Sequence, residues 1–390
     1  MLPYVDIVNI LLERNHDVIF IARDIEKARQ VFKDININLR AAPVSHRQTK
    51  NPVLKPVSYT HVLNNIGFND SDMLATQIRA WHETLIEIKP DLLVFEHSPT
   101  AMLAASVFRC KKLMLGTGFT VPSAEIPMPP LYGDSEKYRN QLLVDDKNML
   151  DIVNRALKQC NFPQLIALSD LFDENEQLLL TLPELDHYQN RRNGKYQGIA
   201  LPASYGTRTE WKSGSVNDEN KPRVFAYLHT ETSVRLLAEV IMHTNAEAIL
   251  HGPSDALNAV PDQALHKICL AAEPVTMEMI LTECDIVVTN GSHATTALSL
   301  LFGKPVAVLS SHFEQALNGM RVAALNCGIH LPLQQLDSSI QLSRFIQQPA
   351  IWQDAAENFS QGYVNQGGIN SWYGKMVSQR LADTVCHGLD

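Results

Sequence analysis

Apolar positions along the first half of the chain alternate between two periods. Val5, Val8, Leu11 and Leu12 recur at helical spacing, Asn15-His16 interrupts them, and Val18-Ile19-Phe20-Ile21-Ala22 is an unbroken apolar run of strand length. Ile78, Trp81, Leu85 and Ile88 form a second helical stripe, closed by Lys89-Pro90-Asp91 ahead of the strand Leu92-Leu93-Val94-Phe95. Pro99 to Phe108 suits a helix with proline in its first turn, and Leu113-Met114-Leu115 a short strand. Continuous apolar strands between helices predict a parallel sheet covered on both faces. The proline density from Pro122 to Pro130 excludes helix and central strand, which leaves a loop.

The pattern restarts after residues 200 to 222, where Gly206, Lys212-Ser213-Gly214-Ser215 and Asn217 to Asn220 read as a linker. Val224 to Leu228 is a strand, Ser233 to Met242 a helix, and Ala248-Ile249-Leu250 a strand ending at His251-Gly252-Pro253. Ile268-Cys269-Leu270, Ile286 to Val288 and Val306 to Leu309 supply further strands. The economical reading is an α/β protein with two doubly wound, Rossmann-like domains facing each other across a cleft. The expected boundaries are 1–205, a linker at 206–222, 223–370, and a C-terminal helix in 371–390.

Composition narrows the function classes. A chain of 390 residues with 45% apolar content fills two cores, and a net charge of -9 argues against a nucleic-acid partner. The runs Arg109-Cys110-Lys111-Lys112 and Arg191-Arg192-Asn193-Gly194-Lys195 read as solvated turns. Cysteines 110, 160, 269, 284, 327 and 386 show neither a C-x-x-C pair nor zinc-ligand spacing, so free thiols in a reducing, cytoplasmic compartment are expected, with no metal. No apolar stretch approaches the roughly 18 residues of a membrane span, and no signal peptide is evident.

Chemistry concentrates in one stretch. Cys284-Asp285-Ile286-Val287-Val288 is a buried strand, Thr289-Asn290-Gly291-Ser292-His293-Ala294-Thr295-Thr296 a small-residue turn, and an apolar helix follows before Gly303-Lys304-Pro305-Val306-Ala307-Val308. That layout aims the N–H groups of Asn290 to Thr295 and a helix's positive end at whatever lies above, and a phosphate or pyrophosphate fits. Ser310-Ser311-His312-Phe313-Glu314-Gln315-Ala316-Leu317-Asn318 places an acid and an amide at the same mouth.

These residues carry a resemblance. Asn290-Gly291-Ser292-His293-Ala294-Thr295, Gly303-Lys304-Pro305 and Glu314-Gln315-Ala316-Leu317-Asn318 resemble the donor-binding region of family 1 (UDP-glycosyltransferase-like) enzymes of the GT-B fold. That pattern reads His-Gly-Gly-x-Gly-Thr, Gly-x-Pro, Asp-Gln-x-x-Asn. The resemblance implies inverting transfer of a sugar from a UDP- or dTDP-sugar to an acceptor hydroxyl, without metal or cofactor. Asn290 stands where the family often has a histidine; it donates a hydrogen bond but brings no charge. Ser292, Thr295 and Thr296 offer phosphate donors or helix caps. His293 contacts phosphate or packs over the turn, and Gly291 permits close backbone approach. Glu314 and Gln315 match the pair that holds sugar hydroxyls, or form a capping pair, and His312 lines the same mouth.

Base contacts are expected from Glu273-Pro274-Val275, Val275 presenting backbone groups, and His229 follows the strand nearest the phosphates. The family's catalytic histidine lies in a first strand-to-helix turn; here Met1-Leu2-Pro3-Tyr4 enters a helix directly, so roughly 15 residues are expected to be missing. Glu96 matches the acid that orients that histidine, and His97 is a substitute base; a buried salt bridge is the other reading of Glu96. The C-terminal helix is expected to pack back on the first domain. Acceptor loops are expected around residues 40 to 75 and 117 to 140. Two alternatives stay open: a GT-B sugar-nucleotide epimerase, and a sugar-nucleotide-binding protein that has lost its base.

Overall fold

The computed structural model describes residues 1–387 except 45–48, 50, 133–134, 174–175, 189–190, 192–193, 202–204 and 214–220. His46, Arg192, Asn193 and the centre of the expected linker, including Gly214, Ser215 and Asn217 to Asn220, lie outside the described residues. The chain divides into two units, residues 1–200 with 377–390, and residues 201–376.

The first unit carries strands β1 (Ile19–Ala22), β2 (Asn38–Ala41), β3 (Leu92–Phe95), β4 (Lys111–Gly116), β5 (Glu176–Leu179) and β6 (Lys195–Tyr196). Its helices are α1 (Val5–Glu13), α2 (Ile25–Val31), α3 (Tyr59–Leu63), α4 (Ser71–Ile88), α5 (Pro99–Ala105), α6 (Ser135–Gln159) and α7 (Asp170–Asp173). Local chemistry sets their ends. Asp70 caps α4 by accepting from the Asp72 and Met73 N–H groups, and Lys89 closes it in the left-handed region (φ 52°) just before Pro90. The stretches expected as loops are partly helical: α3 and the start of α4 fall within 40–75, and α6 begins inside 117–140.

These strands form two sheets, not one. β1 pairs only with β2, and β3–β4–β5–β6 runs separately, all parallel. Helix α1 packs on both: Ile7, Ile10 and Leu11 join the core of β4 and β5, while Val8 joins that of β1 and α2, and Val18 touches both cores. Among the described residues, β1 and β3 therefore each keep one unpaired edge. Their burial reflects it, with Val94 43% exposed and Ile19, Phe20 and Ile21 half-buried, where a central parallel strand would be covered on both faces.

The second unit follows the expected alternation. Its strands are β7 (Arg223–Tyr227), β8 (Glu247–His251), β9 (Ile268–Ala271), β10 (Ile286–Thr289), β11 (Val306–Ser310) and β12 (Gly328–Pro332). Its helices are α8 (Glu231–Met242), α9 (Ser254–Leu257), α10 (Met277–Glu283), α11 (His293–Leu301), α12 (Phe313–Ala324), α13 (Ser338–Gln347) and α14 (Ala350–Asn365). The six strands make one parallel sheet in the order β12-β11-β10-β7-β8-β9. β10 and β11 are buried along their whole length. The described part of the expected linker is packed on this unit: Trp211 is buried and its indole N–H donates to Glu283 Oε2 at 2.9 Å. The last helix, α15 (Lys375–Cys386), belongs from Val377 onward to the first unit, where Val377, Leu381, Ala382 and Val385 enter its core.

Candidate functional site

The second sheet reverses direction between β7 and β10: β8 and β9 are added on one side, β11 and β12 on the other. Ligands of open parallel sheets bind outside the strand carboxyl ends at such a switch point. Asn290 and Gly291 follow β10 there, and His229 follows β7.

Asn290 is built into the base of the turn. It is fully buried, its Oδ1 accepts from the His229 backbone N–H at 2.6 Å and from Ser233 Oγ at 3.3 Å, and its Nδ2 donates to the Leu309 carbonyl at 2.7 Å. The oxygen and one N–H of the amide tie three strand ends together and shape the turn, and a second Nδ2–H remains.

Gly291 adopts φ +91°, and a Cβ built on it would lie 3.0 Å from the Gln315 carbonyl oxygen and from Val308 Cγ1. Both facts demand glycine. Asn318 Nδ2 donates to the Gly291 carbonyl at 2.9 Å, and its Oδ1 lies 3.5 Å from His293 Nδ1. Asn318 thus holds the turn and one ring; the Glu-Gln-x-x-Asn spacing was the signal for it. Ser292 is the N-cap of α11 but makes no capping bond, and its Oγ receives the Thr295 hydroxyl at 3.3 Å. Ser292, His293 and Ala294 are half-exposed at the start of α11, where a helix's first N–H groups have no intrahelical acceptor. Thr296 is 1% exposed on the buried side of α11, and its hydroxyl has no hydrogen-bond partner among the described residues.

In α12, Gln315 Oε1 accepts from the Ser311 N–H at 2.8 Å and its hydroxyl at 2.9 Å, which is the capping alternative realised on the oxygen only. Its amide nitrogen remains to donate. Glu314 is half-buried beside it, and His312, held below the ordinary histidine value by burial, precedes both. Sequence reasoning missed Ser310, which meets His330 Nε2 at 2.8 Å behind this mouth.

Val275 is 5% exposed, so its side chain covers no ligand ring. Its segment pairs with Thr207: the Thr207 N–H donates to the Pro274 carbonyl at 2.7 Å and the Thr276 N–H to the Thr207 carbonyl at 3.1 Å. His229 is exposed, its backbone N–H engaged by Asn290 and its ring packed edge-on to Tyr227 with centroids 4.4 Å apart.

Glu96 and His97 lie in the first unit at the carboxyl end of β3. Glu96 is exposed by surface area, yet the packed chain around it pushes its carboxyl up, against the opposing pull of the Met1 amine. Among the described residues no histidine is hydrogen-bonded to it; its backbone carbonyl accepts from the Ser98 hydroxyl at 2.9 Å. His97 is in the left-handed region (φ 43°), with its ring edge-on to Tyr59 at 6.1 Å and Nε2 buried without a partner. Burial first, then the Arg23 charge, holds its imidazole below the ordinary histidine value. A strained, neutral, unpartnered imidazole is the feature of this unit best suited to accept a proton.

Residues 230–365 match the family described as the erythromycin biosynthesis protein CIII-like C-terminal domain. No curated protein sequence matches the chain. Among solved structures, glycosyltransferase VinC in complex with DTDP is similar over 99% of this chain and 96% of its own, at 13% identity and TM-score 0.68. The calicheamicin glycosyltransferase CalG4 covers 99% and 94% at 16% identity and TM-score 0.67. The spinosyn rhamnosyltransferase SpnG complexed with spinosyn aglycone covers 98% and 96% at 15% identity and TM-score 0.62. The fold is therefore the GT-B fold, as the resemblance implied, and the segment similar to the EryCIII-like family lies within its second unit.

Proposed function

We propose that the protein transfers a sugar from a nucleotide diphosphate sugar, UDP- or dTDP-linked, to a hydroxyl of a small-molecule acceptor, with inversion. The observation that carries this reading is the Gly291 turn. It combines a left-handed glycine pressed against α12, the Asn318 latch on its carbonyl, and the N-terminus of α11, whose N-cap side chain makes no capping bond. A diphosphate leaving group needs its developing charge stabilised, and oriented N–H groups at a helix N-terminus provide that. Ser292, His293 and Thr295 line the same turn. The Gln315 amide and the Glu314 carboxylate hold sugar hydroxyls as donor and acceptor.

In the reaction the bond from the sugar's anomeric carbon to the phosphate oxygen breaks, and its electron pair leaves with the diphosphate. The acceptor oxygen bonds to that carbon from the opposite face, and its proton passes to a base. In the first unit, His97 is the candidate for that base. The nucleotide-bound neighbour VinC supports a dTDP donor, and the aglycone-bound SpnG supports a bulky natural-product acceptor. The second reading is a protein that binds sugar nucleotides without transferring them.

The test is incubation with UDP- and dTDP-sugars and a panel of hydroxylated aglycones, read by mass spectrometry. An acceptor gaining one sugar mass together with stoichiometric release of the nucleotide diphosphate supports transfer. Nucleotide binding with no acceptor modified supports the second reading, and no nucleotide binding ends both.

A further inference from the structure

The cysteines are free thiols, and Cys386 stands in a cluster of the first unit that the donor turn does not use. Helix α1 ends in a left-handed cap at Asn15 (φ 64°), where the Asn15 N–H donates to the Leu12 carbonyl at 2.9 Å and the His16 N–H to the Leu11 carbonyl at 3.1 Å. That cap fixes the backbone that carries Arg14 and His16, and both side chains reach the last turn of α15. There Arg14 Nη1 donates to Cys386 Sγ at 3.2 Å, Nη2 donates to Asp383 Oδ1 at 2.5 Å, and His16 Nε2 lies 3.3 Å from the same sulfur. Asp383 and Cys386, at positions i and i+3, share a helix face, so one guanidinium serves both and its ion pair offsets the carboxylate beside the sulfur. Cys386 and His16 are half-buried, within reach of a small reagent. Other cysteines are placed differently. Cys160 and Cys327 donate to the Ala75 and Leu325 carbonyls at 3.4 Å, and burial pushes the Cys284 thiol up to about 12.

We infer that Cys386 is a site of oxidative modification, its thiol activated by His16 and Arg14 for attack on a peroxide. The thiolate, not the thiol, is the nucleophile, and an adjacent base and cation generate and hold it. Because Arg14 already donates to the sulfur, the Sγ–H is left to point at His16 Nε2, which takes the proton as the sulfur attacks. With hydrogen peroxide, the S–O bond forms as the O–O bond breaks. The leaving hydroxide recovers the proton from His16 and departs as water, and Cys386 is oxidised to a sulfenic acid. The added oxygen enters the space between the sulfur and Arg14, so the modification falls on the joint between α1 and α15. Sugar transfer plays no part in this chemistry.

The experiment treats the whole protein at neutral pH with limiting hydrogen peroxide, traps sulfenic acid with dimedone, and follows each cysteine by peptide mass spectrometry. Cys386 is expected to be trapped at least about tenfold faster than Cys110, Cys160 and Cys269, which are half-buried like it. His16→Gln and Arg14→Met both remove bulk from around the sulfur, so exposure alone would speed the reaction. Activation predicts the opposite, a reaction slower by about tenfold or more in each variant, with Arg14→Lys recovering part of the rate. Circular dichroism checks folding; should Arg14→Met not fold, His16→Gln decides, since it leaves the Arg14–Asp383 pair in place. Equal trapping of the four half-buried cysteines, or an unchanged or faster reaction in His16→Gln, overturns the inference.

Discussion

The Asn290 amide has partners on three strand ends, and its removal strands them. Asn290→Ala leaves the buried Leu309 carbonyl and the part-buried His229 N–H without partners. Each costs about 1–3 kcal/mol, so unfolding free energy in urea is expected to drop by about 2–4 kcal/mol. Ser292→Ala is expected to stay within about 0.5 kcal/mol, because the Ser292 hydroxyl caps nothing. The reverse ranking would return Asn290 to the ligand. His97 makes a pH prediction. Its folded value is depressed, so the imidazole is neutral through pH 7 and kcat/KM is expected to stay flat down to about 6.5, falling only below it. His97→Gln is expected to lower kcat about 100-fold and abolish that acid limb; a wild-type profile that already falls between pH 8 and 7 would contradict the role. The same depression stabilises the fold above pH 6.5, a contribution lost as pH falls from there to the lowered value.

The unpaired edges of β1 and β3 are a property of elements. Their amides are expected to exchange hydrogen at least about tenfold faster than those of β10 and β11, which are paired on both sides. Mass-spectrometric exchange resolves the segments, and equal protection would mean that something covers those edges. Elements with a clean apolar period were legible in the sequence, among them α1, α4, β3 and every strand from β7 to β11. Those missed hide the period. β2 is a half-polar edge strand, β6 has two residues, and β12 begins with glycine and ends with proline. In α6 the buried stripe of Leu142, Met149, Val153 and Leu157 is diluted by charged neighbours. At the site, the Gly291 turn was legible because backbone demands appear as glycine. The inward aim of Asn290 and Thr296 was not, since spacing does not give side-chain direction.

At the scale of the whole molecule, α15 ties the end of the chain to its beginning. Arg14 Nη2 meets Asp383 Oδ1 at 2.5 Å, Arg380 donates to the Gln197 carbonyl at 2.7 Å, and Leu381 is fully buried. Leu381→Ala is expected to cost the first unit about 2–5 kcal/mol while nucleotide affinity, proposed for the second unit, stays unchanged; a calorimetric scan and a titration on the same sample separate the two. The central claim is that the Gly291 turn holds the diphosphate of a nucleotide. Its most direct measurement is calorimetric titration of dTDP and UDP against the wild-type protein and Gly291→Ala, whose added methyl meets the Gln315 carbonyl in a backbone conformation that disfavours it. The account predicts micromolar binding of at least one nucleotide to the wild type and binding weakened about tenfold or more in the variant. Undiminished affinity in Gly291→Ala, or no heat from either nucleotide with the wild type, would contradict it.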